Sequence, residues 1–345
     1  MKNVIHLIPY DGIGGVETAA RTMAELEQSE VDFQVSYIFN QPLVGPYGFN
    51  PLPFFKAARQ IIIRQPDILI VSLWRSCIVA FFVKLFCPRI RFVLFLHFPE
   101  DVHFFDRLLT RLMAKFAHQI WADSEATLSR RLSGLPSTNG KVISFVTHRI
   151  AAYRKKKVKP VFIFWGRIHS QKKLERALDI FANIHSVYPE SHFIVIGPDG
   201  GELTRMREVA HRIKITDAVM FAGAMNFSEI KSLAKNASFY LQTSELEGMA
   251  MSVVEAMQLG LVPVVTPVGE IGNYCKHRKN SLLVTSDQAV VDDILELLNN
   301  PRMYNQLRRK AIATWAAKPL YAESVVNACL EIYSKSKDGK QIRNA

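Results

Sequence analysis

The chain has 345 residues, more than one hydrophobic core usually supports, so two domains of comparable size are expected. With 49% apolar and 10% aromatic residues it is neither a disordered chain nor a small disulfide-stapled scaffold. Lys and Arg outnumber Asp and Glu by 43 to 31, an excess that favours anionic partners such as nucleotide phosphates, nucleic acid or acidic lipid.

The chain opens on a strand-like run, Val4 to Pro9, with no small-residue cleavage site behind it, so a cytoplasmic location is expected. Gly12-Ile-Gly-Gly-Val-Glu17 follows and leads into a helix, which brings flexible backbone within reach of an anion. The spacing is not Gly-x-Gly-x-x-Gly, and no acidic residue ends the second strand near Phe39, so a dinucleotide site is not indicated. Further strands are predicted at Phe33 to Phe39, Ile68 to Leu73, Phe92 to His97, Gln119 to Ala122 and Val142 to Val146. The longest apolar runs, Ile78 to Val83 and Phe92 to Phe98, fall far short of the roughly 18 to 20 residues that cross a bilayer.

Between the strands at Phe92 to His97 and Gln119 to Ala122, Phe104 to His118 has a helical period with Arg107, Arg111, Lys115 and His118 on one face. The other face carries Phe105, Leu108, Leu109, Leu112, Met113 and Phe116 and is expected to lie on the sheet. The basic face, like Lys56, Arg59 and Arg64 in Phe54 to Arg64, is suited to anionic lipid head groups, which makes a peripheral contact with an anionic membrane surface a hypothesis. The basic residues are not interleaved with aromatic platforms, and nucleic acid is not expected as a partner.

Thr147 to Pro160 has six basic residues and no apolar period, as an interdomain linker would. A second set of strands follows at Val161 to Trp165, Phe193 to Ile196, Val219 to Phe221, Phe239 to Gln242, Val262 to Thr266 and Leu282 to Val284. Continuous apolar strands alternating with helices imply parallel sheets covered on both faces. Two doubly wound α/β domains are therefore expected, 1–150 and 151–320, with ligands beyond the carboxyl ends of the strands. Residues 321–345 add a closing helix, Tyr321 to Tyr333, and a basic tail from Ser334 expected to fray. The four cysteines match no zinc, redox or disulfide spacing and are expected reduced in the cores.

The most informative segment is Ser244-Glu-Leu-Glu-Gly-Met-Ala-Met-Ser-Val-Val-Glu-Ala-Met-Gln-Leu-Gly260, in which a strand ends, a glycine turn follows and an apolar helix begins near Met249. Glu247 precedes that helix and Glu255 lies inside it, about 12 Å apart at a rise of ~1.5 Å per residue, roughly the span from a ribose to the sugar beyond a diphosphate. Unpaired N–H groups around Met249 to Met251 would face the anion between them. Either glutamate alone would pass for a dipole complement or a solvated helix residue. Glu255, however, sits amid Val253, Val254, Ala256 and Met257, where an ionised carboxylate needs a partner. Upstream, Phe162 to Trp165 delivers Gly166-Arg-Ile-His-Ser-Gln-Lys172 into a helix, placing a guanidinium fork and a point charge on one strand-to-helix turn, as a phosphate clamp requires.

In this combination the second half resembles the nucleotide-binding domain of retaining glycosyltransferases of the GT-B fold, glycosyltransferase family 4 (group 1). Glu247 and Glu255 match the family's two glutamates separated by seven residues, and Gly166-Arg167 with Lys172 matches its phosphate element. Gly197-Pro-Asp-Gly-Gly201, Phe221-Ala-Gly223, Pro263 to Gly269 and Asn280 to Val284 fall in the family's order, and the match covers about residues 160 to 320. Gly12 to Glu17 resembles its Gly-Gly-x-Glu loop, and His97 before Phe98-Pro99 its cleft histidine, a position a structural histidine fits almost as well.

The resemblance implies an α/β chain of two Rossmann-like doubly wound parallel-sheet domains facing a central cleft, the first on the acceptor side. Arg167 and Lys172 would hold the diphosphate, Glu255 the ribose, and Glu247 and His97 would meet the transferred sugar. Gly14 and Gly15 would close over the phosphate, Gly248, Met249, Ala250 and Met251 would present backbone to sugar or phosphate, and Gly197 would border the base. The family retains anomeric configuration and needs no metal or other cofactor; the chain has neither an Asp-x-Asp nor histidines at metal-ligand spacing. Departures are Thr243 and Ser252 where prolines are common, Met249-Ala250 for Phe-Gly, and Lys173 and Glu270 for glycines, all touching the sugar pocket.

The expected activity is hexosyl transfer from a UDP- or GDP-sugar to a saccharide acceptor carried on lipid at the inner membrane face, in surface polysaccharide, lipopolysaccharide or glycolipid synthesis. A catalytically silent lipid-binding relative and a sugar-nucleotide epimerase are the alternatives.

Overall fold

The computed structural model describes residues 1–12, 15–24, 30–39, 50–133, 139–153 and 157–341. They divide into two compact units, Met1–His148 with Pro319–Ala345, and Arg149–Lys318.

In the first unit, strands and helices alternate: β1 (Lys2–Tyr10), α1 (Gly15–Ala24), β2 (Val31–Phe39), α2 (Leu52–Arg64), β3 (Ile68–Ser72), α3 (Trp74–Phe86), β4 (Arg91–Leu96), α4 (Phe104–Phe116), β5 (Gln119–Ala122), α5 (Glu125–Arg131) and β6 (Gly140–Val142). The second continues with β7 (Val161–Trp165), a 3-10 turn (Ser170–Lys172), α6 (Leu174–Val187), β8 (His192–Ile196), α7 (Leu203–Arg212), β9 (Val219–Gly223), α8 (Phe227–Ala234) and β10 (Phe239–Gln242). It closes with α9 (Met251–Leu259), β11 (Val262–Val265), α10 (Ile271–Tyr274), β12 (Leu282–Leu283), α11 (Asp287–Asn299) and α12 (Pro301–Ala316), after which α13 (Tyr321–Gln341) returns to the first unit.

Each unit holds a six-stranded sheet whose pairings are all parallel, ordered β2-β1-β3-β4-β5-β6 and β12-β11-β10-β7-β8-β9. β3, β5, β10 and β11 are buried at every position without alternation, so helices must cover both faces there. In the first unit α2, α3 and α4 share one core cluster with β1, β3 and β4, built around Leu7, Leu69, Val83 and Phe92. On the opposite sheet face Phe95 stacks on Tyr321 of α13 at 6.4 Å. The strand order reverses between β1 and β3 in one unit and between β7 and β10 in the other, the two places where a doubly wound sheet opens a crevice at its carboxyl edge.

Eleven of the twelve predicted strands lie where β1–β5 and β7–β12 are found, to within two residues at either end. The exception is Val142 to Val146: β6 ends at Val142, and Ile143, Phe145 and Val146 run on as irregular, buried chain. Their apolar surface is taken up by α13, whose Tyr321 N–H donates to the Val146 carbonyl at 2.8 Å. The segment expected as a linker also differs. Within the second unit Arg149 donates to the Trp315 carbonyl at 2.7 Å, the Ile150 N–H to Gln258 at 3.2 Å, and the Lys159 N–H to Ser238 at 2.8 Å. From Arg149 on, the described residues of this segment are thus laid onto the second unit, because their backbone and side-chain groups find partners there. At the other end α13 extends to Gln341, past the Ser334 at which fraying was expected, since adding a residue to a formed helix costs far less than starting one.

Two glycines fix the carboxyl edge of the second sheet. Gly197 ends β8 at φ +149°, and a Cβ there would stand 1.9 Å from the Gly166 carbonyl oxygen. Gly166 in turn donates to the Ile196 carbonyl at 3.0 Å, so the turns after β7 and β8 are pressed together. Gly197→Ala should lower the stability of the second unit by more than about 3 kcal/mol, read as a fall in urea midpoint. An unchanged midpoint would show that the two turns can separate without loss.

Candidate functional site

The segments that follow β7 and β10 carry Arg167, Lys172, Glu247 and Glu255, and they bring Lys172 to Glu247. β7 ends in Trp165, and the chain turns through Gly166 and Arg167 to the 3-10 turn that ends at Lys172. β10 ends in Gln242 and gives way to the loop carrying Glu247 and Gly248, then to α9 with Glu255 inside it. The Lys172 ammonium lies 2.6 Å from a Glu247 carboxylate oxygen, with the two side chains 17% and 8% exposed. The same oxygen accepts from the Gln242 amide at 3.0 Å.

From Gln242 the polar contacts run inward. Tyr240 donates its hydroxyl to Gln242 at 2.7 Å, and the Ser252 hydroxyl donates to the same oxygen at 3.1 Å. Tyr240 also meets the Trp165 carbonyl at 3.2 Å, and its ring stands edge-on to the indole at 4.6 Å. The Trp165 indole N–H donates to Glu255 at 2.8 Å. Hydrogen bonds therefore join Lys172, Glu247, Gln242 and Tyr240, and ring contact carries the line on to Trp165 and Glu255, because the one Tyr240 proton is spent on Gln242. Burial pushes the Glu255 carboxyl up to about 7, with the indole donor pulling the other way.

Arg167 is exposed and makes no ion pair among the described residues. Its stem lies on the loop after β8, where a Cβ at Gly200 would be 2.9 Å from the Arg167 Cγ. That loop is zipped to the Arg167 segment by Ile168 N–H to Pro198 at 3.0 Å and Gly200 N–H to Ile168 at 2.8 Å. Asp199 is engaged with the N–H groups of Gly201, Glu202 and Leu203, which hold its carboxyl below the usual carboxylate range.

α9 begins at Met251, two residues later than expected. Met249 and Ala250 are buried; the Met249 carbonyl accepts from Tyr274 at 2.9 Å, and the Ala250 carbonyl takes the N–H groups of Val253 and Val254. The N–H groups left without an intrahelical partner are those of Met251 and Ser252, at an end with no acidic residue in its first turn. Gly269, at φ +55°, backs the loop so closely that a Cβ would be 1.9 Å from the Glu247 carbonyl oxygen.

The departures from the family pattern are themselves bonded. Lys173 and Ala250, where the family has glycines, keep left-handed backbone, at φ 45° and 56°. Thr243 donates its hydroxyl to the Lys173 carbonyl at 2.7 Å, and Lys173 pairs with Glu245 at 2.8 Å. Glu270 has a right-handed backbone, which asks for no glycine. Gln242, Trp165 and Tyr240 were not singled out by sequence; the available signal was the place of Gln242 and Trp165 at carboxyl ends of parallel strands. A cavity of about 670 Å³ lies beside this region, lined by Ser170, Lys173, Thr243, Ser244 and Glu245, among others, but by none of Arg167, Lys172, Glu247 or Glu255.

His97 and the glycine loop belong to the first unit. Gly15 is the first residue of α1, and Gly14 lies outside the described residues. His97 Nε2 is 2.8 Å from the Ser72 hydroxyl, which is 2.7 Å from His6 Nε2. A hydroxyl has one proton, so one imidazole donates to Ser72 and the other accepts. Burial lowers both: His6 to about 3, and His97 well below the ordinary histidine range with His6 adding to the effect. Among the described residues no three His, Cys, Asp or Glu side chains gather as metal ligands.

Residues 147–314 match the family model of the glycosyl transferases group 1. This segment of the chain belongs to the group 1 glycosyl transferases. An uncharacterized glycosyltransferase of Bacillus subtilis, YqgM, is 26% identical over 140 residues, covering 40% of this chain and 38% of that protein. The alpha-monoglucosyldiacylglycerol synthase of Acholeplasma laidlawii is 24% identical over 178 residues, covering 51% and 44%. The chain thus matches about two fifths of the length of these relatives. Among solved structures, Anabaena Alr3699/HepE in complex with UDP and glucose is similar with a TM-score of 0.80 at 17% identity, over 97% of this chain and 100% of that one. That likeness, with the two parallel six-stranded sheets, establishes the GT-B fold.

Two outcomes are expected of the group 1 segment. Burial pushes the Glu255 carboxyl from its ordinary 4.5 up to about 7 in the folded chain, so its contribution to stability is complete below 4.5 and is lost as pH rises through about 7. Glu255→Gln should remove up to about 3 kcal/mol of that pH dependence, measured by urea unfolding at pH 5 and pH 8; equal slopes for variant and wild type would contradict it. Ala250→Gly should raise the melting temperature, by up to ~1 kcal/mol of released backbone strain, whereas a fall would show that Ala250 is not strained.

Proposed function

We propose that the chain is a retaining, metal-independent glycosyltransferase that uses a UDP- or GDP-sugar. The observation that carries this reading is the neutral Lys172–Glu247 pair that joins the segments after β7 and β10, in the same unit as the exposed Arg167 on the turn after β7 and the free N-terminus of α9. Lys172 is already neutralised, so the net positive potential comes from Arg167 and the helix end, and an anion with two phosphates suits both. Glu255 accepts from the ribose, and Glu247 from a sugar hydroxyl. The Anabaena structure, of a protein with this fold, holds UDP and glucose, which supports a donor of this class.

In the reaction the bond between the donor sugar's anomeric carbon and the phosphate oxygen breaks, and the electron pair leaves with the nucleotide diphosphate. Arg167 and Lys172 stabilise that charge. The acceptor hydroxyl forms the new bond on the face the diphosphate leaves, and its proton passes to the departing phosphate. No side-chain nucleophile takes part. The acceptor is a saccharide carried on lipid, in glycolipid or surface polysaccharide synthesis, in keeping with a curated relative named as a glucolipid synthase.

Binding of UDP and GDP, followed by thermal shift and calorimetry, tests the reading. Saturating nucleotide at 100 times its Kd should add about 2.7 kcal/mol of stability to the wild type. Arg167→Ala should lose at least ~10-fold in affinity, about 1.4 kcal/mol, with no change in ligand-free melting temperature, because Arg167 supports nothing else. Lys172→Ala should lose affinity and also cost about 3 to 5 kcal/mol of stability, since it strands Glu247. A wild type that neither binds nor hydrolyses any nucleotide sugar of a UDP and GDP panel would sink the proposal.

A further inference from the structure

The first unit carries an apolar surface that its own fold leaves open. Phe54 and Ile61 of α2, Val79 and Val83 of α3, and Met113 of α4 share one core cluster, so the three helices cover the same sheet face. The sequence suggested that the apolar side of α4 would lie on the sheet. Instead the helix buries Asp106, Thr110 and Met113, because Asp106 is held by Arg131 at 3.0 Å and by the Thr110 hydroxyl at 3.1 Å. That anchor turns Phe105, Leu108, Leu112 and Phe116 outward, 60%, 48%, 39% and 49% exposed.

The ridge continues onto the neighbouring helices. Phe116 meets the Phe81 ring of α3 at 6.2 Å, and Phe82 meets Phe55 of α2 at 4.9 Å. Leu85 and Phe86, one turn beyond Phe81 and Phe82 on the same side of α3, are 75% and 71% exposed. Exposed aromatic and aliphatic side chains therefore run from α2 across α3 to α4 as one patch, larger than scattered surface residues explain.

The charges on these helices have one sign. α2 and α3 contain no acidic residue, and the single acid of α4, Asp106, is buried. Lys56, Arg59 and Lys115 are exposed, Arg111 is part-exposed, and none of the four forms an ion pair among the described residues. Arg107 has one distant partner, Asp101 at 3.8 Å. A second copy docked on this face would set like charges against like, whereas anionic head groups answer the cations and the boundary beneath them takes the apolar side chains. No helix among the described residues is long and apolar enough to cross a bilayer.

We propose that the outer face of α2, α3 and α4 is a docking surface for an anionic lipid bilayer. Phe105, Leu108, Leu112, Phe116, Leu85 and Phe86 enter the head-group boundary, and the cations lie at phosphate level. The surface is independent of the nucleotide reading, and its test keeps the two apart. The full chain is sedimented with vesicles of phosphatidylcholine alone or mixed equally with phosphatidylglycerol. Wild type should partition to the mixed vesicles, and weakly at high salt or without the anionic lipid.

Phe105→Ser with Phe116→Ser should lower partitioning at least ~10-fold at an unchanged melting temperature, since both side chains face water in the free protein. Arg111→Glu with Lys115→Glu should abolish the preference for phosphatidylglycerol. Arg167→Ala should sediment as wild type does, whatever becomes of nucleotide binding. The proposal falls if wild type stays in the supernatant with mixed vesicles, or if the Ser variant sediments equally. It also falls if wild type is a dimer in solution that the same variant dissociates, which would make the face an interface between copies.

Discussion

The buried ion pair between Lys172 and Glu247 is the interaction around which the second unit's carboxyl edge is arranged. Its partners come from the segments after β7 and β10, the strands on either side of the point where the sheet order reverses. Neither charge can be left alone in so closed a place, because a stranded buried charge costs several kcal/mol. The two segments are therefore held together before any ligand arrives. Gln242, fixed by Tyr240 and Ser252, spends its amide on the same carboxylate, so the orientation of Glu247 is set from two sides. With these charges cancelled, the positive groups that remain on these segments include Arg167 and the helix end at Met251.

Backbone strain is concentrated in the same few residues. Lys173 and Ala250 adopt left-handed conformations that glycine would enter at no steric cost, and each is stabilised by neighbours. Thr243 holds the Lys173 carbonyl, Glu245 holds its ammonium, and Tyr274 fixes the Met249 carbonyl just before Ala250. The positions where the chain departs from its family thus keep the backbone path while changing the side chains that line it. Where the path admits no side chain at all, at Gly197 and Gly269, glycine remains.

The first unit puts its sheet to different uses on its two faces. One face is closed by α2, α3 and α4, whose inner sides fill the core and whose outer sides stay apolar and cationic. The strand residue His6 and the strand end Ser72 form, with His97, a buried polar string in which burial keeps both imidazoles neutral. The hydroxyl of Ser72 can donate to only one of them, so the tautomers of His6 and His97 are linked.

The amino-acid sequence by itself determined the strands, because unbroken apolar runs of four to six residues have no other economical fate than a sheet covered on both sides. It also placed Arg167 and Lys172 after one strand and Glu247 and Glu255 after another, because apolar runs and glycine turns mark where strands end and helices begin. Only the tertiary structure decided that Lys172 is neutralised by Glu247 and that Glu255 is held by an indole, since hydrogen-bond partners 75 and 90 residues apart leave no mark on local pattern. The same holds for α4. Its period announces an apolar face and a basic face, but Asp106, buried by its bonds to Arg131 and Thr110, sets the rotation of the helix and sends Phe105, Leu108, Leu112 and Phe116 to solvent while Met113 stays in the core.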